Sequence, residues 1–269
     1  MSLVVAWISI DNKSKGRNNI SAVYFGADSR ISWGKKEKTY DIGSKLVWTK
    51  NYPELFAFCG KVEFPMMALS NICSQIDSGM LFEANEDIET KQLKIEEALK
   101  VHKGCFRNFG KEESCQILYG TKCNGAFSIA LFNVDTDGVT MEILPLPQVS
   151  GRVHSMGSGA LEFENKLSHV ILTNEENTSR GVFHCLWKTI EDTKEYTVGG
   201  LIQFVGLYRG KDKPQVFGIL NDDKLYVTGN EVGEGVDLHQ IEWRDVNFQR
   251  INPTEKQLLE GAQQQPFME

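Results

Sequence analysis

The sequence lacks an excess of positive charge and lacks any long apolar run. Its 269 residues carry 29 basic and 36 acidic side chains, which gives a formal net charge of −7. Proteins that bind the phosphate backbone need a basic face, so this charge argues against a nucleic-acid partner. No stretch approaches the roughly 20 consecutive apolar residues of a membrane-spanning helix. The apolar start at 3–10 has no basic leader and no small-residue cleavage site. We therefore expect a cytoplasmic protein without a membrane partner.

The common metal and catalytic motifs are also missing. Six cysteines are present without any C-x-x-C pair, which favours reduced thiols over a disulfide framework. Cys105, Cys115 and Cys123 are too widely spaced for a zinc knuckle. The chain has no G-x-S-x-G, no H-E-x-x-H, no phosphate-binding loop and no dinucleotide fingerprint. We expect neither a metal nor a cofactor.

Apolar periodicity predicts the order of strands and helices. The run at 3–10 has no polar alternation, which is typical of a strand buried on both faces. Further strands follow, then two amphipathic helices near 65–79 and 87–106. Strands return after them, helices follow from 160 and over 175–194, and strands end the pattern.

This order favours an α+β chain built as a four-layer α/β/β/α sandwich, in which helices flank two antiparallel sheets. No linker or internal repeat interrupts the pattern. We expect a single domain over 1–251. The polar, glutamine-rich stretch over 252–269 is expected to be a C-terminal tail, either a frayed helix or unstructured.

Ser2 is the first candidate catalytic residue because of its position. Once Met1 is removed, which a small second residue permits, Ser2 carries a hydroxyl group and a free α-amine. Such an amine has a pKa of roughly 7.7–8.0, so part of it is neutral at physiological pH. One residue can then supply both the nucleophile and the general base. Serine is also a common second residue, so Ser2 alone does not identify a hydrolase.

Polar residues and glycines at the ends of later strands add to this pattern. In chain order they are Ser2, Asp28 and Arg30 within A-D-S-R, Lys45, Gly60, Gly157-Ser158-Gly159 and Gly199-Gly200. From Ser2 to about Asp222 this order resembles the proteasome β-subunit family, including the HslV-type peptidases of bacteria. The resemblance implies the N-terminal-nucleophile (Ntn) hydrolase fold, with the four layers described above.

The resemblance also implies roles for the residues around Ser2. Lys45 would lie beside the Ser2 hydroxyl, where its charge favours an alkoxide and lowers the pKa of the terminal amine. Asp28 would pair with Lys45 and orient it, and Arg30 would brace the loop. The ordinary alternatives are a turn-forming Asp28, a surface Arg30 and a lysine that merely flanks a strand.

The remaining implied roles concern the substrate. The backbone N–H of Gly60 would bind the oxyanion, and Ser158 would hydrogen-bond the terminal amine. An extended peptide would lie between Ser32 and the segment after Gly60, which includes Val62. Phe58 would form the floor of a shallow apolar pocket. A turn glycine at Gly60, a strand-to-helix turn at Ser158 and a core position for Phe58 are the alternatives.

The chain departs from the family pattern in three ways. The nucleophile is serine instead of the usual threonine, which removes a methyl group that restricts the rotamer. The acid and the serine expected before Gly199-Gly200 appear as Glu195 and Val198, so the serine is missing. Met1 must be removed, because a retained methionine blocks the amine of Ser2.

These observations predict a peptidase that cleaves extended peptides through an acyl-enzyme on Ser2. The resemblance implies a homo-oligomeric ring and a possible AAA+ ATPase that unfolds the substrate. Two alternatives remain open: a catalytically inactive scaffold subunit of the same fold, and an Ntn amidase that acts on a small amide.

Overall fold

A computed structural model of the chain describes residues 2–11, 20–34, 38–83, 85–107, 109–110, 114–170 and 175–262. Within these ranges the chain has four α-helices and several sheets, almost all antiparallel, so the predicted α+β class is confirmed. The helices are α1 (Glu63–Asp77), α2 (Ile88–Cys105), α3 (Ala160–Val170) and α4 (Ser179–Asp192). Not one of these helices combines the length and the hydropathy needed to cross a membrane.

The strands form two large sheets and two small ones. In chain order they are β1 (Val4–Ile10), β2 (Ile20–Ala27), β3 (Ile31–Ser32), β4 (Thr39–Tyr40), β5 (Leu46–Trp48), β6 (Glu54–Gly60), β7 (Cys115–Cys123), β8 (Ala126–Val134), β9 (Val139–Leu144), β10 (Gly151–Met156), β11 (Gln203–Tyr208), β12 (Gln215–Asn221), β13 (Lys224–Val227), β14 (Asn230–Glu231), β15 (Glu242–Asp245), β16 (Ile251–Asn252) and β17 (Gln257–Leu258). The eight-stranded sheet has the order β10-β1-β2-β11-β12-β13-β14, with β15 parallel to β12. The five-stranded sheet has the order β5-β6-β7-β8-β9.

Three apolar clusters hold these elements together. Side chains of β1, β2 and β11 meet side chains of the five-stranded sheet in one cluster, so the two sheets pack on each other. The second cluster joins the five-stranded sheet to α1 and α2. The third joins the eight-stranded sheet to α3 and α4, and it contains stacked rings such as Phe204 and Phe217.

Strand β1 contributes to two clusters, as the unalternating apolar run predicts. Val4, Ala6 and Ile8 lie in the cluster between the sheets, and Val5 and Trp7 lie in the cluster with α3 and α4. Because successive side chains of a strand point to opposite faces, the strand is covered on both sides. It therefore carries the start of the chain into the interior.

Local side-chain contacts explain the starts of two helices. Asp87 precedes α2, and its carboxylate accepts the N–H of Thr90 at 2.9 Å, as an N-cap residue does. Thr178 caps α4 in the same way through Gly181 at 3.0 Å. The last helix therefore begins at Ser179, four residues later than the apolar pattern from 175 predicts.

Some short strands could not be recognised from apolar pattern. Strand β10 pairs with β1 at the edge of the large sheet, in a segment for which the apolar pattern predicts no strand. The first residues of the predicted tail take part in a hairpin of β16 and β17. Ile251, the last residue of the predicted domain, is buried in this hairpin. The part of the tail over 263–269 lies outside the described residues.

Candidate active site

Ser2 lies just before β1 and is buried against a glycine-rich turn. Its backbone N–H donates to Ser158 Oγ at 3.2 Å, and its carbonyl accepts the N–H of Gly159 at 3.1 Å. Gly157 has φ +95°, and a Cβ there would lie 2.2 Å from the Ser2 carbonyl oxygen. Only glycine fits this close approach, which explains why the turn that receives the chain start is Gly-Ser-Gly.

Asp28 and Lys45 form a buried ion pair next to the start of β1. Lys45 Nζ lies 2.6 Å from Asp28 Oδ1, and both side chains are almost completely buried. The same carboxylate oxygen accepts the N–H of Leu3 at 2.8 Å, and the Asp28 N–H donates to the Leu3 carbonyl at 3.1 Å. Burial lowers the pKa of Lys45, and the charge of Asp28 opposes that shift. The carboxylate oxygen that binds the Lys45 ammonium therefore also binds Leu3, the residue after Ser2.

The carboxylate of Asp28 also binds two other segments of backbone. Its Oδ2 accepts the N–H of Arg30 at 3.2 Å and the N–H of Gly199 at 3.1 Å. With four donors, the charge of Asp28 is compensated without water, as a buried carboxylate requires. The residue therefore fixes the chain start, its own loop and the turn before β11 relative to one another.

Arg30 joins the same loop to Asp41. The guanidinium donates to both carboxylate oxygens of Asp41 at 2.7 Å, and this contact raises the pKa of Arg30 and lowers the pKa of Asp41. Arg30 also donates to the carbonyls of Tyr196 and Val198. A Cβ at Gly199 would lie 2.5 Å from the Arg30 guanidinium carbon, so the glycine leaves room for the arginine.

A chain of hydroxyl groups leads away from the Ser2 nitrogen. Ser158 Oγ lies 2.7 Å from Thr197 Oγ1, and Thr197 Oγ1 donates to Glu195 at 2.8 Å. Thr197 is buried, and its own N–H also donates to Glu195 at 3.1 Å. The serine that seemed absent at Val198 is thus matched by a hydroxyl one residue earlier. Allowing a one-residue offset in the sequence comparison would have found Thr197.

A cavity of about 540 Å³ adjoins the end of β6. Ser32, Gly60 and Val62 line it, together with Ile31 and Trp33. Gly60 has φ +99°, and a Cβ there would lie 2.6 Å from the Ser114 carbonyl oxygen. Ser32, Gly60 and Val62, which the resemblance implies in substrate or oxyanion binding, therefore line the same cavity.

Phe58 takes a different place. Its side chain is fully buried in the cluster with α1 and α2, and it is not among the residues that line the cavity. Its N–H donates to the carbonyl of Lys45 at 3.1 Å, so Phe58 connects β6 to the ion pair through its backbone. The phenyl ring of Phe58 therefore lies in the core, which is the alternative given for this residue in the sequence analysis.

The structure therefore places Ser2 against Ser158 and the next residue, Leu3, against the Asp28–Lys45 pair, with Arg30 on the loop beside them. Met1, on whose removal the free amine depends, lies outside the described residues. Among the residues that are described, no group of three or more histidine, cysteine, aspartate or glutamate side chains could hold a metal ion.

Comparisons with known proteins identify the fold. No protein-family model matches the chain, and no curated protein matches it. A solved Anbu mutant from Hyphomicrobium sp. strain MC1 is 12% identical, with a TM-score of 0.55 over 87% of this chain and 85% of that chain. Anbu from Yersinia bercovieri, an ancestral beta-subunit, is 11% identical with a TM-score of 0.55, over 79% of this chain and 86% of that chain.

These neighbours correct the family assignment. The similarity to HslV-type peptidases that the order of site residues suggested is wrong, because the structural neighbours are Anbu proteins and no family model supports HslV. The AAA+ ATPase partner was implied by that resemblance alone and is not retained. At this identity the likeness concerns the fold: the chain has the proteasome-like fold of Anbu.

Proposed function

We propose that the chain is a proteasome-like subunit in which Ser2, once it is the first residue, hydrolyses an amide bond through an acyl-enzyme. We also infer the four-layer α/β/β/α order of Ntn hydrolases from the three apolar clusters. The observation that carries the proposal is the pair of contacts at the chain start: Ser158 on the Ser2 nitrogen, and the Asp28–Lys45 pair on Leu3.

The proposed chemistry uses the chain terminus as the base. The Ser2 hydroxyl gives its proton to the α-amine, directly or through one water, while the oxygen bonds to the substrate carbonyl carbon. The C–N bond of the substrate then breaks, and the leaving amine takes that proton. Water hydrolyses the resulting ester by the reverse proton path and restores the Ser2 hydroxyl. The Lys45 charge stabilises the developing alkoxide.

The hydroxyl chain supports the proton transfer in this scheme. Ser158, Thr197 and Glu195 are connected over 2.7 and 2.8 Å, which orients Ser158 Oγ toward the Ser2 nitrogen. A nitrogen whose hydrogen bonds are fixed presents its lone pair in one direction, and this orientation favours transfer. The carboxylate at the far end also compensates positive charge on the amine.

The proposed substrate is an extended peptide bound along the cavity at Gly60. Ser32 lines that cavity, and its buried hydroxyl has no hydrogen-bond partner among the described residues. The side chains of Ile31, Trp33 and Val62 supply apolar wall area for one substrate side chain. A small amide would use only part of this space.

A chain released from an N-terminal fusion, so that Ser2 is the first residue, tests the proposal. We expect a fluorophosphonate probe to label Ser2 of this chain, as located by peptide mass spectrometry. The matched chain that retains Met1 and the Ser2→Ala variant should remain unlabelled at that position. A folded, Ser2-first chain that resists both this probe and a β-lactone would overturn the hydrolase.

A catalytically inactive scaffold subunit is the second candidate. Two observations favour it: the comparisons support the fold alone, and Ser2 is 1% exposed in the full chain. We expect homo-oligomers from either candidate. Native mass spectrometry separates them when combined with labelling, since an unlabelled chain that still forms oligomers supports the scaffold. A labelled monomer would instead support an amidase for a small substrate.

A further inference from the structure

Gln203 is a buried side chain that the proposed chemistry does not use. It is the first residue of β11 and is 1% exposed. Its Nε2 donates to the carbonyl of Asp28 at 3.1 Å and to the carbonyl of Gly43 at 2.9 Å. Its Oε1 accepts the N–H of Lys45 at 3.2 Å and the hydroxyl of Ser44 at 3.2 Å. An amide group offers two donors and two acceptor positions, so the hydrogen-bonding capacity of Gln203 is fully used.

These four bonds join loops from different sheets. Asp28 follows β2 in the eight-stranded sheet, whereas Lys45 precedes β5 in the five-stranded sheet. The two sheets meet through apolar side chains, which allow small sliding movements because such contacts are not directional. The Gln203 amide supplies directional bonds to the backbone of both ion-pair residues.

We propose that Gln203 is a positioning residue, which holds Lys45 against Asp28 and thereby sets the reactivity of Ser2. A buried ion pair is favourable only when its geometry is close to ideal, and the Lys45 side chain is only 1% exposed, so solvent does not readily replace a lost partner. The first part of the proposal, the position of Lys45, is independent of activity. The second part, the reactivity of Ser2, rests on the proposed function.

The test compares Gln203→Met with Gln92→Met. Methionine keeps the length of the side chain and removes the hydrogen bonds. Gln92 is a matched control, since it is also buried and its Nε2 donates to Ser128 Oγ at 2.9 Å on the other side of the five-stranded sheet. Two quantities are measured in the Ser2-first chain: the titration midpoint of Lys45 by ¹³C NMR of lysine Cε, assigned with Lys45→Arg, and the rate at which the fluorophosphonate labels Ser2.

We expect Gln203→Met to move the Lys45 midpoint by about one pH unit and to slow labelling by about 10–100-fold. Gln92→Met should change neither quantity. An unmoved Lys45 midpoint in Gln203→Met overturns the proposal, whatever the labelling rate does. A moved midpoint in a chain whose wild type is never labelled supports the positioning and overturns the hydrolase instead.

Gln203→Asn serves where Gln203→Met does not fold. Its amide keeps donors and acceptors and adds no charge, but it is one methylene shorter and cannot reach all four partners. We expect a smaller shift of the Lys45 midpoint than in Gln203→Met, together with slower labelling. A Lys45 midpoint identical to that of the wild type would overturn the proposal here as well.

Discussion

Two lysine–carboxylate pairs lie buried in the described part of the chain, one at the start of β1 and one beneath α2. Lys45 Nζ is 2.6 Å from Asp28 Oδ1, and Lys91 Nζ is 2.6 Å from Glu54 Oε1. Both lysines are at most 8% exposed, and both carboxylates are fully buried. Burial lowers the pKa of Lys45 and raises the pKa of Glu54. Distance, burial and pKa shift therefore do not distinguish a candidate active site from a structural pair.

The surroundings of the two pairs distinguish them. Asp28 accepts backbone N–H groups from Leu3, Arg30 and Gly199, so it organises main chain from three segments, including the chain start. Glu54 accepts the hydroxyl of Tyr119 at 2.6 Å. Lys91 lies over the ring of Phe82. The pair beneath α2 is enclosed by side chains, and no chain terminus or cavity adjoins it among the contacts described.

The largest expected difference concerns the reactivity of Ser2. In the Ser2-first chain, Lys45→Met should slow fluorophosphonate labelling by about 10³-fold, because the cation that stabilises the alkoxide is lost. Lys91→Met should label at the wild-type rate after correction for the folded fraction by circular dichroism. Equal losses in the two variants would show that labelling reports stability, and the distinction between the pairs would disappear.

The second difference concerns stability and is tested with double variants. Either single change, Lys91→Met or Glu54→Leu, should lower the free energy of unfolding by about 3 kcal/mol, because it leaves one charge buried without its partner. The double variant should recover most of this loss, since two apolar side chains fill the same space.

The double variant Asp28→Leu/Lys45→Met should recover little of the free energy of unfolding that its two single variants lose. Three backbone N–H groups would remain buried without an acceptor, and each costs about 1–3 kcal/mol. Urea unfolding of the wild type, the four single variants and the two double variants measures all of these free energies. Similar recovery in both double variants would contradict the role assigned to Asp28 in holding backbone.

The hydroxyl chain provides a smaller effect. Thr197→Val keeps the shape of the side chain and removes the contact to Ser158 and Glu195, so we expect labelling to slow about tenfold, or ~1.4 kcal/mol. Thr189→Val is the matched control, because Thr189 is also buried and its hydroxyl donates within its own helix, to the carbonyl of Cys185 at 2.6 Å. If Thr189→Val slows labelling as much as Thr197→Val, the hydroxyl chain has no specific effect on the reactivity of Ser2.

Apolar pattern predicted the fold well where burial is continuous. The mainly apolar runs at 20–27 and 126–134 predict strands, and β2 and β8 have these bounds. Strand β10 and the hairpin β16–β17 carry few apolar residues and are held by pairing with other segments. Such pairing depends on tertiary structure, which residue periodicity does not record.

The site was predictable in its order but not in its contacts. Asp28 follows a strand, Lys45 precedes one, and Ser158 lies in the Gly-Ser-Gly turn before a helix, and the sequence marks all three positions. Asp41 as the partner of Arg30 has no such mark, because the two meet only through folding. The sequence alone did not identify the family, for a related reason. Glycines such as Gly157 are required by close backbone contacts. Their order therefore follows the fold, which proteins of different activity can share.

The smallest expected effect comes from Arg30 and Asp41, a pair at the edge of the site that is partly exposed. Arg30 lowers the pKa of Asp41 from its usual 3.8. The unfolded chain therefore takes up this proton at a higher pH than the folded chain. The stability contributed by the pair is complete above about pH 4 and is lost as the pH falls through the lowered pKa.

Solvent screens a pair of this exposure, so Asp41→Asn should lower the free energy of unfolding by about 0.5 kcal/mol at pH 7. The variant should also lose less stability than the wild type between about pH 4 and pH 2. Asp192→Asn is the control away from the site, because Asp192 pairs with Lys166 at 2.8 Å and its pKa is also lowered. Both variants should show the same pH trend, but only Asp41→Asn should also slow labelling of Ser2, since Arg30 connects Asp41 to the loop of Asp28. If labelling is unchanged, Arg30 and Asp41 contribute to stability alone, and the candidate site ends at the buried pair.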